Sequence, residues 1–544
     1  MNLSDRHSER SEESLPDEIE TPRFARGDIK QVRLFIFWAI VALLWVNLPY
    51  LIGYASSTSQ NRFGGFFIYE QDGNSYLAKM RQGAQGAWNF HLPYTSEDQY
   101  QSGGFVYPFY LILGKLETLG FNDQFLYHTA RILSSILLLI VLSRFIARFV
   151  ADRRWQLWTW WLLLFSGGWS LLIGYLIDPK YVAYELIAPD GFIFSILYGP
   201  PHVIFGFALL MMWIGYTLDS FQANRSRWPQ RILIANLIGG AATLSREAYG
   251  AVFVGVLGVF VIARSIQQRR IIWHELILIT LSSIAAIGYL VYLFIALQTI
   301  PGLNIWYQQN PFGSPNLIDF ILGFAPLLMV GIIGIALIRR HSSRVANNSS
   351  LITLWLIAGP IWAYLPISIS RRLIAGWQIP LCIFGAYALM KLWQSRRVIG
   401  SILIAAVLPT TVLVIVGGSA LVAAKPPTLF QSSDELAALD WLSRNTTDQD
   451  VVLSDWRFGN LVPTAADARV FIGHPIETAF FKDKEAEVEH LFDPTTGDID
   501  RRAFLSKWRV TLIVVGTGES IGLGRQAQNI VFRQGAYSIY RFLP

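Results

Sequence analysis

The 544-residue sequence has one cysteine, Cys382, and few charged side chains, since Asp, Glu, Lys and Arg together make up only 15% of it. A single cysteine excludes a disulfide framework and any zinc or iron–sulfur site built from cysteines. Cys382 lies in the apolar run Pro380–Tyr387, and we interpret it as a small buried hydrophobic side chain. Soluble domains carry about 25% charged residues. With 53% hydrophobic residues, the composition therefore indicates a polytopic membrane protein.

Long uncharged runs divide most of the chain into candidate membrane spans. The first run, Leu34–Tyr54, can cross a hydrocarbon core of roughly 30 Å at about 1.5 Å per residue. Residues 1–30 are polar, and we expect a disordered cytoplasmic tail there. Residues 31–424 predict a mostly α transmembrane bundle of about eleven spans. After Leu34–Tyr54, the remaining ten candidate spans are Leu126–Val150, Trp155–Ile177, Pro200–Leu218, Ile232–Leu244, Ala248–Ala263, Ile271–Leu297, Leu317–Ile338, Leu351–Ile369, Leu373–Leu392 and Val398–Ala424.

The net charge of +6 does not indicate a nucleic-acid partner, because the basic residues lie at the edges of the spans. With the amino terminus inside, about twenty Lys and Arg residues lie on inner edges and about ten on outer edges. This bias predicts a multi-pass protein of the cytoplasmic membrane with a cytoplasmic amino terminus. An odd number of spans then places the carboxyl terminus outside.

The composition changes to that of a soluble domain over residues 425–544. Ser432-Ser-Asp-Glu435 resembles a helix capping box. Apolar runs separated by polar helical segments predict strands and a final hairpin, at Val451–Leu453, Val470–Ile472, Thr511–Val515, Asn529–Phe532 and Tyr537–Phe542. The alternation predicts an extracytoplasmic α/β domain.

Two carboxylates lie in the long first outer loop, residues 55–104. Glu70 and Asp72 follow the first span, where a general base or a ligand of a divalent cation needs an acceptor oxygen close to the membrane face. The next segment, Ser75–Gln85, predicts an interfacial helix with Tyr76 on its apolar side. The alternative is that the two acids only solvate a loop.

The second outer loop contains three more acids, Asp178, Glu185 and Asp190, and His202 opens the next span. A histidine at a membrane interface can be a ligand or an acid/base group. The alternative for His202 is a simple hydrogen bond to a neighbouring carbonyl.

Three arginines on the outer side, Arg246, Arg371 and Arg372, run against the charge bias. Guanidinium groups suit phosphate oxygens, which a lipid-linked substrate presents at this depth. The alternative is pairing of Arg246 with Glu247, or pairing of the arginines with lipid headgroups.

Taken together, these features resemble the GT-C class of integral-membrane glycosyltransferases, particularly the bacterial relatives of protein O-mannosyltransferases and aminoarabinose transferases. The segments that carry the resemblance are Glu70-Gln-Asp72-Gly, the helix Tyr76–Gln85, Tyr107-Pro-Phe-Tyr-Leu-Ile-Leu-Gly114, the acidic second outer loop, Leu439-Asp-Trp-Leu442, Val451-Val-Leu-Ser454, Phe458-Gly-Asn460 and Ile472-Gly-His-Pro475.

The resemblance implies an inverting sugar transfer at the outer membrane face, from a polyprenyl-phosphate sugar to an acceptor glycan, lipid or protein. Asp72 would be the base, with Glu70 assisting or binding an ion. The resemblance further implies a lipid-phosphate and substrate site that includes Arg246, Arg371, Arg372, His202 and Tyr76.

The resemblance leaves the cofactor open. Asp178, Glu185 and Asp190 depart from the paired acidic pattern of the class. No cofactor is required by the sequence, and if a divalent cation such as Mg²⁺ or Mn²⁺ is used, Glu70 and Asp72 would be its ligands.

Two other classes of function remain open from the sequence. Many spans and the intramembrane Glu275 are typical of a transporter, although no matching halves with paired breaks are visible. A non-catalytic protein of cell-envelope assembly is the third hypothesis. A cavity that contains Glu70 and Asp72 and opens sideways into the outer leaflet would favour the transferase.

Overall fold

The computed structural model describes residues 23–178, 181–311, 313–341, 349–493, 495–516 and 529–542. The first helix begins at Arg23, so residues 23–30 are helical and not part of a disordered tail, whereas residues 1–22 lie outside the described residues. The amino-terminal part contains one short strand, β1 (Asn61–Phe63), and the helices α1 (Arg23–Ala55), α2 (Glu70–Ala84), α3 (Pro108–Lys115), α4 (Asp123–Phe149), α5 (Arg153–Phe165), α6 (Ser170–Ile177), α7 (Tyr184–Ile187), α8 (Ile193–Tyr198), α9 (Pro201–Ser220), α10 (Trp228–Ser245), α11 (Ala248–Gln267), α12 (Trp273–Ser282), α13 (Ile284–Thr299), α14 (Pro301–Gln309), α15 (Leu317–His341), α16 (Ser349–Ala363), α17 (Gln378–Ser395), α18 (Arg397–Val407) and α19 (Pro409–Ala423).

Seven helices or helical segments of the described residues are long and apolar enough to cross a membrane, and two bent pairs raise the number to nine. The pairs are α12 with α13, bent by 53°, and α18 with α19, bent by 48°. The total of nine is two below the predicted number of about eleven spans. All eleven predicted runs form helices, but α10 and α16 are not among the nine, and the 15 residues of α16 cover only about 22 Å.

The helix boundaries follow local sequence signals. The side chains of Asn122 and Asp152 cap α4 and α5 by accepting hydrogen bonds from the backbone N–H groups three residues further on, at Phe125 and Trp155. Pro409 begins α19 because proline has no N–H to continue the preceding helix. These signals place the ends of the helices that surround the site.

The centre of the bundle is α17, which is buried from Gln378 to Met390 and packs between α5 and α15. Cys382 lies within it, fully buried and 3.9 Å from the hydroxyl of Ser166. The interpretation of Cys382 as a buried hydrophobic side chain is confirmed.

The carboxyl-terminal domain is built on a five-stranded mixed sheet. Its elements are β2 (Phe430–Ser432), α20 (Ser433–Asn445), β3 (Val451–Leu453), α21 (Trp456–Ala465), β4 (Arg469–Val470), α22 (Phe481–Phe492), α23 (Asp498–Lys507), β5 (Leu512–Val515), β6 (Asn529–Gln534) and β7 (Tyr537–Arg541). The strand order is β4-β3-β5-β7-β6, with β3 parallel to β4 and β5, and β7 antiparallel to β5 and β6. The predicted fold class, a polytopic helical bundle with a carboxyl-terminal α/β domain, is confirmed.

The sheet separates two helical layers. Side chains alternate between the faces of a strand, and Val452 of β3 packs with α20 and α21, whereas Val451 and Leu453 pack with α22 and α23. The α20–α21 layer faces the bundle, because α21 contacts α2.

Helix α2 lies between the bundle and this domain, and it includes most of the predicted helix Ser75–Gln85. Its backbone crosses α3 so closely that a Cβ atom on Gly83 would lie 2.1 Å from the carbonyl oxygen of Leu111. On its other side, the Asn74 amide donates to the Asn460 side chain of α21 at 2.8 Å. A second contact joins the two parts, since β1 pairs antiparallel with β2. The first outer loop and the carboxyl-terminal domain therefore lie on the same side of the bundle.

Candidate functional site

A cavity of about 490 Å³ lies where the bundle meets the carboxyl-terminal domain. Its wall comes from α2, the start of α9, the α10–α11 junction, α13, α14, the segment before α17 and the loop of residues 471–480 between β4 and α22, called the 471–480 loop below. The polar and aromatic side chains that line it include Tyr69, Asp72, Tyr76, Tyr107, His202, Arg246, Glu247, Tyr289, Trp306, Tyr307, Asn310, Arg372, His474 and Glu477.

Asp72 occupies the first turn of α2. The residue before the helix, Tyr69, has a φ of 53°, in the left-handed region that a tyrosine rarely adopts. Its hydroxyl donates to the backbone carbonyl of Leu186, which fixes the start of the helix. The carboxylate of Asp72 is thereby held at a helix amino terminus, which stabilises negative charge. About 45% of its side-chain surface is exposed in the cavity.

His474 of the 471–480 loop is the neighbour of Asp72. Its Nε2 atom lies 3.4 Å from Asp72 Oδ1, and its side chain is only 4% exposed. Burial raises the pKa of the Asp72 carboxyl, but the hydrogen bond with His474 and the nearby charges of Lys79 and Arg246 hold that pKa below its ordinary value. Asp72 is therefore ionised at neutral pH.

Lys79 and Glu477 form a buried ion pair between α2 and the 471–480 loop. Lys79 Nζ lies 2.7 Å from Glu477 Oε1, and the exposures of the two side chains are 0% and 5%. The Ser75 hydroxyl donates to the same oxygen at 2.7 Å. Burial raises the pKa of Glu477, but the charge of Lys79 lowers it below its ordinary value. The pair ties the carboxyl-terminal domain to the helix that carries Asp72.

Two arginines on the cavity wall are each held by a carboxylate. Arg246 donates to Asp190 Oδ2 at 2.7 Å, and the other oxygen of Asp190 accepts a hydrogen bond from the Tyr249 hydroxyl at 2.8 Å. Arg372 donates to Glu247. Because Glu247 follows Arg246 in the chain, these pairs place both guanidinium groups at one wall. Arg246 Nε is buried and has no hydrogen-bond partner among the described residues.

His202 and Tyr76 form a second group on the wall. His202 Nδ1 lies 2.7 Å from the Tyr110 hydroxyl, and the Tyr110 ring stacks on Tyr76 with centroids 4.4 Å apart. The partner of His202 is thus a hydroxyl, and not the carbonyl of the alternative hypothesis.

An apolar strip on α13 completes the wall, formed by Leu290, Leu293, Phe294 and Leu297. Phe294 is 67% exposed, so the helix that lines the cavity also reaches the outer surface of the bundle. Such a strip suits a hydrocarbon chain that enters from the side.

The predicted site residues separate into three sets by their position relative to the cavity. Five line the cavity: Asp72, Tyr76, His202, Arg246 and Arg372. Asp190 lies behind Arg246 as its carboxylate partner. The remaining four, Glu70, Asp178, Glu185 and Arg371, are not among the lining residues.

The acids outside the cavity have separate surroundings. Glu70 lines a smaller pocket beside Arg457. Glu185 is fully buried and accepts hydrogen bonds from the hydroxyls of Ser170 and Thr410. Asp178 lies exposed at the end of α6. The acids of the second outer loop therefore do not act as one group.

The residues present do not fit the divalent cation that the first-loop acids allowed. Glu70 and Asp72 line different pockets. Across the ranges that the structure describes, no three His, Cys, Asp or Glu side chains come together in a way that could hold a metal ion. We therefore derive no chemical step through a metal.

Sequence reasoning gave no role to Lys79, His474 or Glu477, and the partner of Glu247 is Arg372, where the alternative hypothesis had named Arg246. The one available signal was Ile472-Gly-His-Pro475, a histidine directly after a strand and between a glycine and a proline. The pairing of Lys79 with Glu477 joins residues that are far apart in the chain, and no local pattern reveals it.

No protein-family model and no curated protein matches the sequence. Among solved structures, the chain is similar to the oligosaccharyltransferase of Archaeoglobus fulgidus tethered with an acceptor peptide that contains the NVT sequon, with 14% identity and a TM-score of 0.51 over 89% of this chain and 69% of that one. It is also similar to ArnT from Cupriavidus metallidurans. The apo form has 13% identity and a TM-score of 0.51 over 94% of this chain and 98% of ArnT. The form bound to undecaprenyl phosphate has 12% identity and a TM-score of 0.50 over 94% and 97%. These likenesses establish that the chain has the same fold as these two proteins.

Proposed function

We propose that this protein is a membrane glycosyltransferase that moves a sugar from a polyprenyl-phosphate-linked donor to an acceptor at the outer face of the cytoplasmic membrane. The observation that carries the proposal is a single cavity lined by three chemically different kinds of group. It combines an ionised carboxylate, Asp72, with the guanidinium groups of Arg246 and Arg372 and with the apolar strip of α13. A lipid-phosphate sugar that reacts with a hydroxyl or amide needs all three.

The donor phosphate binds at the arginine wall. Guanidinium groups donate two parallel hydrogen bonds to phosphate oxygens. Asp190 and Glu247 hold Arg246 and Arg372 in place before the donor arrives, and the buried Nε of Arg246 is a donor without a partner in the described residues. The α13 strip takes the first isoprene units. The undecaprenyl phosphate bound to ArnT supports this ligand class.

The reaction is a single displacement at the anomeric carbon of the sugar. The acceptor atom forms its bond to that carbon as the bond from the carbon to the phosphate oxygen breaks, and the bonding electron pair leaves with the lipid phosphate. The acceptor proton passes to the Asp72 carboxylate. Arg246 and Arg372 stabilise the charge that develops on the phosphate. Attack opposite the leaving group inverts the anomeric configuration.

The proposed location is the outer leaflet, with the amino terminus in the cytoplasm and residues 425–544 outside. The basic residues favour this orientation by about twenty to ten. The pairing of β1 with β2 supports one part of it, since the first outer loop and the carboxyl-terminal domain share a side. The acceptor is a glycan, lipid or protein of the cell envelope. The acceptor peptide on the archaeal relative supports an acceptor site in this fold.

The test uses purified protein in nanodiscs with a panel of radiolabelled polyprenyl-phosphate sugars, and it measures transfer of label or release of lipid phosphate. We expect turnover of one donor. Asp72→Asn should lower that turnover by about 10²–10⁴-fold and leave donor binding intact, because only the proton acceptor is lost.

Asp483→Asn is the matched control, since Asp483 lies exposed on α22, away from the cavity, and should keep wild-type turnover. Wild-type turnover in Asp72→Asn would show that the base is wrongly assigned. If no donor is turned over, a transporter or a non-catalytic assembly protein becomes the better hypothesis.

A further inference from the structure

The tautomer of His474 is fixed by the loop that carries it. Its Nδ1 atom accepts hydrogen bonds from the backbone N–H groups of Ile476 and Glu477, each at 3.2 Å. A proton on Nδ1 would oppose both donors, so the ring carries its proton on Nε2. That atom is buried, lies 3.4 Å from Asp72 Oδ1 and makes no hydrogen bond of standard geometry within the described residues.

The 471–480 loop is held from three directions. Thr478 Oγ1 accepts hydrogen bonds from the N–H groups of Gly473 and His474, each at 3.1 Å. The Lys79–Glu477 pair anchors the loop to α2. From α14, the side chain of Gln309 donates to Thr478 O at 3.0 Å and accepts from Phe480 N at 2.6 Å. A loop with this many anchors holds the His474 ring in one orientation.

We propose that His474 is a positioning residue, contributed by the carboxyl-terminal domain, whose Nε2–H holds Asp72 Oδ1 so that Oδ2 faces the acceptor. The inference rests on the proposed function in one respect, the role of Asp72 as base. His474 does not itself receive the acceptor proton. A hydrogen bond that favours the ionised carboxylate also keeps Asp72 able to accept a proton.

The pKa of Asp72 reports on its contact with His474 when the other groups around Asp72 stay in place. Other charged or titratable groups also surround Asp72. On α2 or directly before it they are Lys79, Tyr69 and Tyr76, and from elsewhere in the chain they are Tyr94, Tyr107, Tyr110, Tyr127, Arg246 and Glu477. A substitution at 474 leaves all of them in place. Loss of the Nε2–H donor should therefore raise the pKa of Asp72.

Two substitutions separate the two ends of the imidazole ring. In His474→Asn, the amide oxygen can take the position of Nδ1 and accept from the loop N–H groups, as Asn side chains commonly do, while the donor to Asp72 is lost. In His474→Gln, the amide nitrogen can reach the position of Nε2 and keep that donor. His490→Gln is the control, because His490 is exposed on α22 of the same domain.

With the polyprenyl-phosphate sugar that the wild-type protein turns over, His474→Asn should lower kcat by about 10- to 100-fold with little change in KM, the range expected for one lost hydrogen bond to a charged group. The acid limb of its pH–rate profile should move to higher pH. His474→Gln should recover most of the activity and the wild-type limb. Thermal unfolding midpoints of all variants serve as the folding control.

Infrared difference titration of the Asp72 carboxyl, with Asp72→Asn as the subtracted reference, measures the same shift without turnover. It therefore tests the His474–Asp72 contact even if the proposed function fails. Failure of the proposed function alone appears as no turnover of any donor by the wild-type protein, while the titration of Asp72 still shifts in His474→Asn. An unshifted Asp72 titration in folded His474→Asn overturns the inference, as does an equal loss of activity at every pH in both variants. If His474→Asn does not fold, Gln309→Leu, which releases the loop from α14, must shift the titration in the same direction.

Discussion

Replacement of Lys79 by methionine would leave a carboxylate buried without a cation. Lys79 is fully buried, and Glu477 is its only acidic partner within the described residues. Methionine is one heavy atom shorter than lysine and of similar volume, so its side chain still fills the space beside the rings of Phe90 and Tyr107, whose centroids lie 4.7 and 4.6 Å from Lys79 Nζ. The change therefore removes charge with little change in volume.

The expected loss of unfolding free energy in Lys79→Met depends on the groups that still contact Glu477. Removal of one partner of a buried ion pair lowers the free energy of unfolding by about 3–5 kcal/mol. The Ser75 hydroxyl still donates to Glu477 Oε1, which offsets part of the loss, so we expect about 3 kcal/mol. Because the pKa of Glu477 is lowered in the folded protein, the stabilisation is complete above the unfolded pKa of about 4.3 and is lost as the pH falls through the folded pKa. The difference between wild type and Lys79→Met should accordingly shrink below about pH 4.

A double-mutant cycle of Lys79→Met and Glu477→Gln measures the pair, with hydrogen exchange of α2 and the 471–480 loop as the readout of local opening. The loss of unfolding free energy in the double variant should be smaller than the sum of the losses in the two single variants by about 1–3 kcal/mol. Arg444→Met breaks the exposed ion pair with Asp440 on α20 and should leave exchange at α2 unchanged. Additive single variants, or a cost that persists unchanged at low pH, would refute the reasoning.

Two further predictions concern the donor and the membrane orientation. Arg372→Ala should weaken binding of a polyprenyl-phosphate donor by about 2–5 kcal/mol, and Arg372→Lys should restore only part of it, because an ammonium group offers a point charge in place of a fork. Smaller losses are expected for Arg246→Ala and Arg371→Ala. Donor affinity in nanodiscs measures these effects, and unchanged affinity in all three alanine variants would assign the arginines to headgroup contacts. A reporter fused after Pro544 should be active only outside the cytoplasm, and cytoplasmic activity would contradict the orientation.

The architecture was accessible to sequence reasoning because its signals are local. Uncharged runs mark the helices, and the Ser432 cap predicted from the sequence is present, with the Ser432 side chain accepting from Glu435 N at 3.1 Å. The strands β3, β5, β6 and β7 follow from short apolar runs, and they lie where these runs predicted them. All eleven predicted runs are helical, although two of these helices, α10 and α16, are not among the nine candidate spans of the described residues.

The site was accessible only in part. Arg246 and Arg372 stood out because they run against the charge bias, and both line the cavity. Glu70 and Asp72 were treated as a pair in a loop, but α2 begins at Glu70, and residues two apart on a helix differ in direction by about 200°. The left-handed Tyr69 that starts the helix has no sequence signature. The contacts of His474 with Asp72, and of Lys79 with Glu477, depend on tertiary structure alone.

The Lys79–Glu477 pair also bears on the order in which the protein can be made. The two residues are 398 positions apart, so at a synthesis rate of about 5–20 residues per second roughly 20–80 s separate the emergence of the lysine from that of its counter-ion. For most of that interval α2 has neither its carboxyl-terminal neighbour α21 nor β2, the second strand of the β1–β2 pair. A nascent chain that has not yet reached the 471–480 loop lacks His474 and Glu477, so its cavity is incomplete.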